Sequence, residues 1–273
     1  MTAGDWSYGV DVDTPSPARM YDYYLGGNHN FPADRAAAEQ VLAAVPNARE
    51  IARANRAFLG NAVQYLLAQG VRQFLDIGSG IPTVGNVHEL IADAQPAARV
   101  VYVDTDPVAV AHSITLLRGN PNATAIRADL RHPAAILAHH NVATMLDLSQ
   151  PIGLLMVSML HFIDDHDAYP AVAYLRQVLE PGSYVVMSHP ADEAFDNDSA
   201  DTVAEVYRRT TAPTGGLRSR AKIAEFLQGL DVLEPGLVWV SQWRPGPIAD
   251  TGDHHQIAML AAVARKPHPV TQA

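Results

Sequence analysis

The chain of 273 residues contains no cysteine. Disulfides and thiolate metal sites are thereby excluded, and the composition suits a reducing compartment. It also lacks any apolar run long enough for a membrane helix; the run from Leu154 to Leu160 is interrupted by Ser158. Basic clusters are missing too: 19 Lys and Arg against 29 Asp and Glu leave a formal charge of −10. Nucleic-acid affinity comes largely from clustered cations, so a phosphate backbone is not an expected partner. The N-terminus starts polar and has no charged-then-apolar signal pattern. These absences lead to the expectation of a soluble cytoplasmic protein that binds neither membrane nor nucleic acid. A chain of this size buries roughly 75% of its unfolded surface, so its core needs no covalent staple.

What is present falls into three stretches. Residues 1–14 are polar and aperiodic and read as a flexible arm. Residues 15–70 read as a helical extension or lid, with Phe58, Ala62, Tyr65 and Leu66 at helical spacing and a turn-rich loop at Gly26-Gly27. Residues 71–268 alternate strand and helix, with strand-like runs at 72–77, 99–104, 123–127, 152–158 and 183–188. Asp106-Pro107 has the form of a helix start, with a capping acid and proline at the first position. Alternation of this kind predicts a parallel sheet covered on both faces. The end breaks the pattern: after a helix near 219–229, strand-like runs at 237–243 and 256–264 are joined by a Pro/Gly-rich loop that leaves no room for a crossover helix. That pair must be antiparallel.

The first strand leads into Asp76-Ile77-Gly78-Ser79-Gly80. Glycines here let the backbone approach a ligand without an obstructing Cβ. An acid two residues before the first glycine suits a methionine-derived nucleotide, and Asp76 can orient the turn and hold a cationic amino group. The dinucleotide pattern would place a third glycine where Thr83 stands. Asp104 ends the second strand, where an acid accepts the ribose hydroxyls beyond the strand ends. Asp129 follows the third strand and is placed for an adenine amino group, with Leu130 packing on the ring. Ser79, Thr105 and Ser158 complete this candidate nucleotide site. His161, just past the fourth strand, is a candidate general base because its ordinary pKa lies near neutrality.

The remaining histidines read more plainly. His139-His140 and His254-His255 are adjacent pairs whose side chains point apart, and Asp253-His254-His255 reads as exposed loop, so no metal is expected. Trp239 and Trp243 read as packing residues at strand spacing. The N-terminal stretch is richer: Arg19, Tyr21, Tyr24, Asn28, Asn55 and Arg56 gather polar and aromatic groups that suit a lid over the nucleotide and a wall of the second substrate's pocket.

Together, L-D-I-G-S-G, V-V-Y-V-D-T-D-P, R-A-D-L-R and the run from Leu154 through His161 resemble the class I methyltransferases that use S-adenosylmethionine (SAM). Met159 to Asp165 also resembles the L-H-x-x-x-D segment of small-molecule O-methyltransferases, in which the histidine is the base. The N-terminal P-S-x-A-R, L-G-G and N-F elements between Pro15 and Phe31 are similar to those of an actinobacterial family of SAM-dependent methyltransferases first catalogued as a domain of unknown function. This resemblance covers about residues 14 to 265. It implies a Rossmann-like α/β fold: a mostly parallel seven-stranded sheet with an antiparallel C-terminal strand, preceded by the helical extension. It further implies SAM as cofactor and methyl transfer to an O, N or C nucleophile of a small-molecule acceptor. The competing expectations are a catalytically silent SAM- or ligand-binding protein and a nicotinamide-dependent oxidoreductase. The latter would normally end in a parallel sixth strand.

Overall fold

A computed structural model describes residues 11–82, 85–95, 97–213, 215–244 and 257–269. Five parallel strands stand in the order β3-β2-β1-β4-β5: β1 Gln73–Ile77, β2 Arg99–Asp104, β3 Ala123–Arg127, β4 Gly153–Val157 and β5 Tyr184–Pro190. Side-chain alternation divides them between two cores. Leu75, Ile77, Val101 and Val103 face one side, with helix α8 (Asp165–Val178) against them; Phe74, Val100 and Tyr102 face the other, against α3 (Ala48–Ala68) and α4 (Val87–Ala94). The last long strand, β8 (Met259–Arg265), runs antiparallel beside β5. The five parallel strands all end at one edge of the sheet, where ligands of open α/β sheets bind.

The expected strand at 237–243 is shorter and belongs to a broken edge. Asp231–Val232 (β6) and Val238–Trp239 (β7) both pair with β8, and Glu234-Pro235-Gly236 lies between them. Proline lacks the amide a ladder needs. Gly236 turns at φ +96° with its N–H on the Leu233 carbonyl at 2.8 Å. Among the described residues the sheet thus has eight segments in seven positions. A short 3₁₀ turn at Val240–Gln242 then rotates the chain, so Trp239 enters one core and Trp243 the other. Strict strand spacing would have put both indoles on one face.

Before β1 there are three helices and no strand among the described residues. α3 packs into the sheet's core, whereas α1 (Pro17–Tyr24) and α2 (Pro32–Ala44) form a separate apolar cluster with α9 (Asn197–Arg208). Buried Asp34 organises this cluster. Its carboxylate accepts the amides of Ser16 (2.8 Å) and Phe31 (2.7 Å) and the Arg19 Nε (3.1 Å). Arg19, 1% exposed, also donates to the carbonyls of Asp11 (3.0 Å) and Thr14 (2.6 Å). The described end of the stretch read as an arm is therefore tied down. Asp22 does the same for the glycine loop, accepting from the amide of His29 and from Asn30 Nδ2, each at 2.8 Å. A Cβ on Gly27 would stand 2.0 Å from that carboxylate, so the loop closes only around glycine.

Candidate functional site

A cleft of about 850 Å³ opens at the carboxyl ends of β1, β2, β3 and β4. Its floor is the turn after β1. Gly78 and Gly80 hold φ +71° and +66°, in the left-handed region that side chains disfavour. The amides of Gly78 (2.8 Å) and Ser79 (3.2 Å) donate to the Val103 carbonyl, and that of Gly80 donates to Asp104 Oδ2 at 2.7 Å. The turn is thus oriented from β2. The expectation that Asp76 orients it is corrected, because the amides that could bond to Asp76 are taken by the neighbouring strand.

Asp76 is 5% exposed and lines the cleft. Burial pushes its pKa up to about 7, against the pull of Arg56 and with a push from Asp104. Asp104 also accepts the Asp106 amide at 2.8 Å, joining the glycine turn to the start of α5 (Pro107–Leu116). Burial lifts its pKa to about 6, opposed by those amides. Asp106 caps α5 through the amides of Val108 and Ala109, as its position before Pro107 predicts. Ser79, Thr105, Asp129 and Leu130 all line the same cleft. Asp129 is gripped by Arg131 Nε and by its terminal nitrogen at 2.6 Å. Burial raises its pKa, but the Arg131 hydrogen bonds and charge outweigh that and lower it. Both Asp129 oxygens are thereby occupied: Oδ1 accepts the Arg131 amide and Nε, and Oδ2 accepts Nε and the terminal nitrogen.

Ser158, at the exit of β4, has φ +55° without being glycine. Its amide donates to the Ser188 carbonyl (3.2 Å) and hydroxyl (2.9 Å). The Ser188 hydroxyl donates to Asn55 Oδ1 (2.6 Å), Asn55 Nδ2 to the Tyr21 hydroxyl (2.9 Å), and that hydroxyl to the Ala52 carbonyl (3.0 Å). A continuous path therefore runs from α1 through α3 and β5 to the strained residue. Tyr21, Asn55, Arg56 and Arg19 line the cleft; neither Tyr24 nor Asn28 is among its described lining residues. Tyr24 is buried in the α1–α2 cluster and Asn28 is exposed on the glycine loop.

His161 also lines the cleft, and its Nδ1 is buried without a hydrogen-bond partner. Burial, then His189 and Arg218, hold its pKa well below the ordinary value, so the ring is neutral at neutral pH. Arg218 carries no motif signal and sequence reasoning missed it, yet it fixes this turn. At 3% exposure it donates to the carbonyls of Leu160 (2.9 Å) and Ile163 (2.7 Å), to His189 Nε2 (2.8 Å) and to Asp165 (2.8 Å). His189 must then carry its proton on Nδ1, facing the Pro190 carbonyl at 2.7 Å. Phe162 and Tyr207, their rings 5.3 Å apart, continue the cleft wall toward Ala212 and Pro213. The Thr211 amide reaches the Pro15 carbonyl at 2.9 Å and joins this wall to the N-terminal segment. Tyr207 and Pro213 were also unanticipated, since they lie far in sequence from every strand end. Asp253, His254, His255, Thr83 and residues 1–10 fall outside the described residues.

The geometry fits SAM on two counts: a turn that admits no Cβ at Gly78, and acids at three successive strand ends lining one cleft. A family model described as S-adenosyl methyltransferase matches residues 4–267. Two solved structures are similar over nearly the whole chain. One is a candidate methyltransferase of Thermobifida fusca YX, 36% identical, covering 95% of this chain and 98% of its own, with TM-score 0.89. The other is a DUF574 family protein of Streptomyces avermitilis MA-4680, 39% identical, covering 94% and 100%, with TM-score 0.88. An O-methyltransferase family protein of Burkholderia thailandensis, 10% identical over 91% of this chain and 64% of its own, shares the fold alone at TM-score 0.53. No curated protein matches the chain. With its antiparallel final strand, its glycine turn and a family match over almost all its length, the chain belongs to the S-adenosyl methyltransferase family and is a SAM-dependent methyltransferase.

Proposed function

We propose that the protein methylates an O, N or C nucleophile of a small molecule held in the aromatic half of the cleft. The observation that carries this reading is the continuity of one cleft. From the glycine turn and Asp104 it runs past Ser158 to His161, Phe162 and Tyr207. Its volume, about 850 Å³, lies toward the upper end of small-molecule sites, with room for a second substrate beside a nucleoside. Bound there, SAM would supply an electrophilic methyl group. Gly78, Ser79 and Asp76 would border its methionine part, Asp104 and Thr105 its ribose, Asp129 and Leu130 its adenine.

Residues 15–70 and the 211–213 segment act in this reading as a two-piece lid over the site. The chain's own contribution is placement, with water excluded and the acceptor held in line with the methyl carbon. His161, neutral and with an unpartnered ring nitrogen, would take a proton from a hydroxyl acceptor. Calorimetric titration with SAM, S-adenosylhomocysteine and NAD tests the reading. Micromolar binding of the first two, lost in Asp104→Ala, is the expected result. Preference for NAD, or no binding of the adenosyl ligands, overturns it.

A further inference from the structure

Four arginines line the cleft, and three are already committed. Arg19 is held by Asp34 and two carbonyls, Arg131 grips Asp129, and Arg127 Nε donates to the Thr105 carbonyl at 3.1 Å. Arg56 is different. Its Nε is buried with no hydrogen-bond partner, and no carboxylate among the described residues lies within 4.0 Å of its nitrogens. The side chain as a whole is half-buried, and leaving that buried N–H without an acceptor is costly. It follows Asn55 on α3 and lines the cleft together with Asp76 and Tyr21, both of which feel its charge. It therefore shares the cleft with Asp76 at the end of β1, whose carboxylate accepts none of the turn amides of Gly78, Ser79 and Gly80. The wall beside Gly78 thus offers one cation and one carboxylate that do not neutralise each other by contact. A ligand end bearing both an ammonium and a carboxylate would satisfy both.

We propose that Arg56 is the carboxylate anchor for the amino-acid end of the cofactor, with Asp76 taking the ammonium, so that the cleft selects adenosyl compounds that keep an α-carboxylate. This rests on the reading of the cleft as a SAM site. A guanidinium fork matches a carboxylate in a way an ammonium does not. Sequence alone placed Arg56 with the lid; its uncommitted charge assigns it to the ligand.

The test uses the full chain and three ligands. SAM and decarboxylated SAM differ only in the carboxylate, and 5′-methylthioadenosine lacks the whole amino-acid end. Wild type should bind SAM far more tightly than its decarboxylated form. Arg56→Met should weaken SAM about 10- to 100-fold, the range of a charge-assisted hydrogen-bonded pair, while leaving the other two within about twofold. Arg56→Lys should recover part of the loss. The melting temperature of unliganded Arg56→Met should hold or rise, because a side chain with a buried, unpartnered N–H is removed. Equal weakening of all three ligands, a lower melting temperature, or no loss for SAM overturns the proposal. If wild type binds none of the adenosyl ligands, the cofactor site itself is misread and the anchor falls with it.

Discussion

Gly78 and Gly80 have nearly the same backbone conformation, yet the structure makes unequal demands on them. A Cβ at Gly80 meets nothing within 4 Å, whereas one at Gly78 would sit 2.5 Å from Met159 Cβ and 2.8 Å from its Cγ. Gly80→Ala therefore incurs the left-handed penalty of roughly 1–2 kcal/mol, offset by about 0.4–1 kcal/mol from a stiffer unfolded chain. Gly78→Ala adds a steric term of about 1–3 kcal/mol, because neither β1 nor the Met159 backbone yields easily. At about 2–4 °C per kcal/mol for a domain of this size, the second variant should melt several degrees below the first. Scanning calorimetry of both, followed by titration with S-adenosylhomocysteine, reads the difference. Gly80→Ala should keep most of its affinity; Gly78→Ala should lose it, since the displaced turn forms the floor of the cleft. Adding Met159→Gly should restore part of the lost stability as a coupling between contacting sites. Equal melting temperatures for the two alanine variants, or no recovery in the double variant, would refute the steric argument.

The other expectations concern charge. Burial raises the Asp76 pKa in the folded protein to about 7, so this group favours folding below its unfolded pKa and that contribution is lost as pH rises through the folded value. Asp76→Asn should thus stabilise the unliganded protein by about 2–4 kcal/mol at about pH 8, with the gap closing toward about pH 4, as urea unfolding across pH would show. Arg218→Met strips the carbonyls of Leu160 and Ile163 and His189 of their donor; chemical denaturation should register a loss of about 3–5 kcal/mol, and a value under about 1 would contradict a role in holding the turn. His161→Ala should leave cofactor affinity intact and abolish turnover of a hydroxyl acceptor, and unchanged turnover would remove the ring from the chemistry.

Much of this fold is legible because buried parallel strands must be apolar along their length. The five runs from Phe74 to Met187 stand out for that reason, and the acids at their ends stand out against them. The broken edge at Glu234-Pro235-Gly236 was harder to read, because Val238 to Trp243 is apolar enough for a strand and only the missing proline amide interrupts the ladder. Arg218 and Ser188 left no pattern at all. Each matters through partners 29 to 133 positions away in the chain, and no local spacing reports such bonds. The opening motif was readable as a motif but not as a structure. Asp22, Asp34 and Arg19 are spent on closing their own loops, so its polar residues are chiefly architectural.

That architecture bears on the chemistry through Ser158. A non-glycine residue at φ +55° stores strain of order 1–3 kcal/mol and persists only where its surroundings over-determine it. Here the determinants are Ser188, whose hydroxyl is aimed by Asn55, and Tyr21, which holds Asn55 in turn. Neutral hydrogen bonds of this kind contribute about 0.5–1.5 kcal/mol each, so three in series are of the size needed to offset the strain. Loosening α1 at Tyr21 would therefore release the backbone at the end of β4, where the cleft passes from its glycine floor to its aromatic wall. Methyl transfer depends on small displacements along that line. The N-terminal helices thus help to set the backbone of Ser158, a residue that lines the cleft.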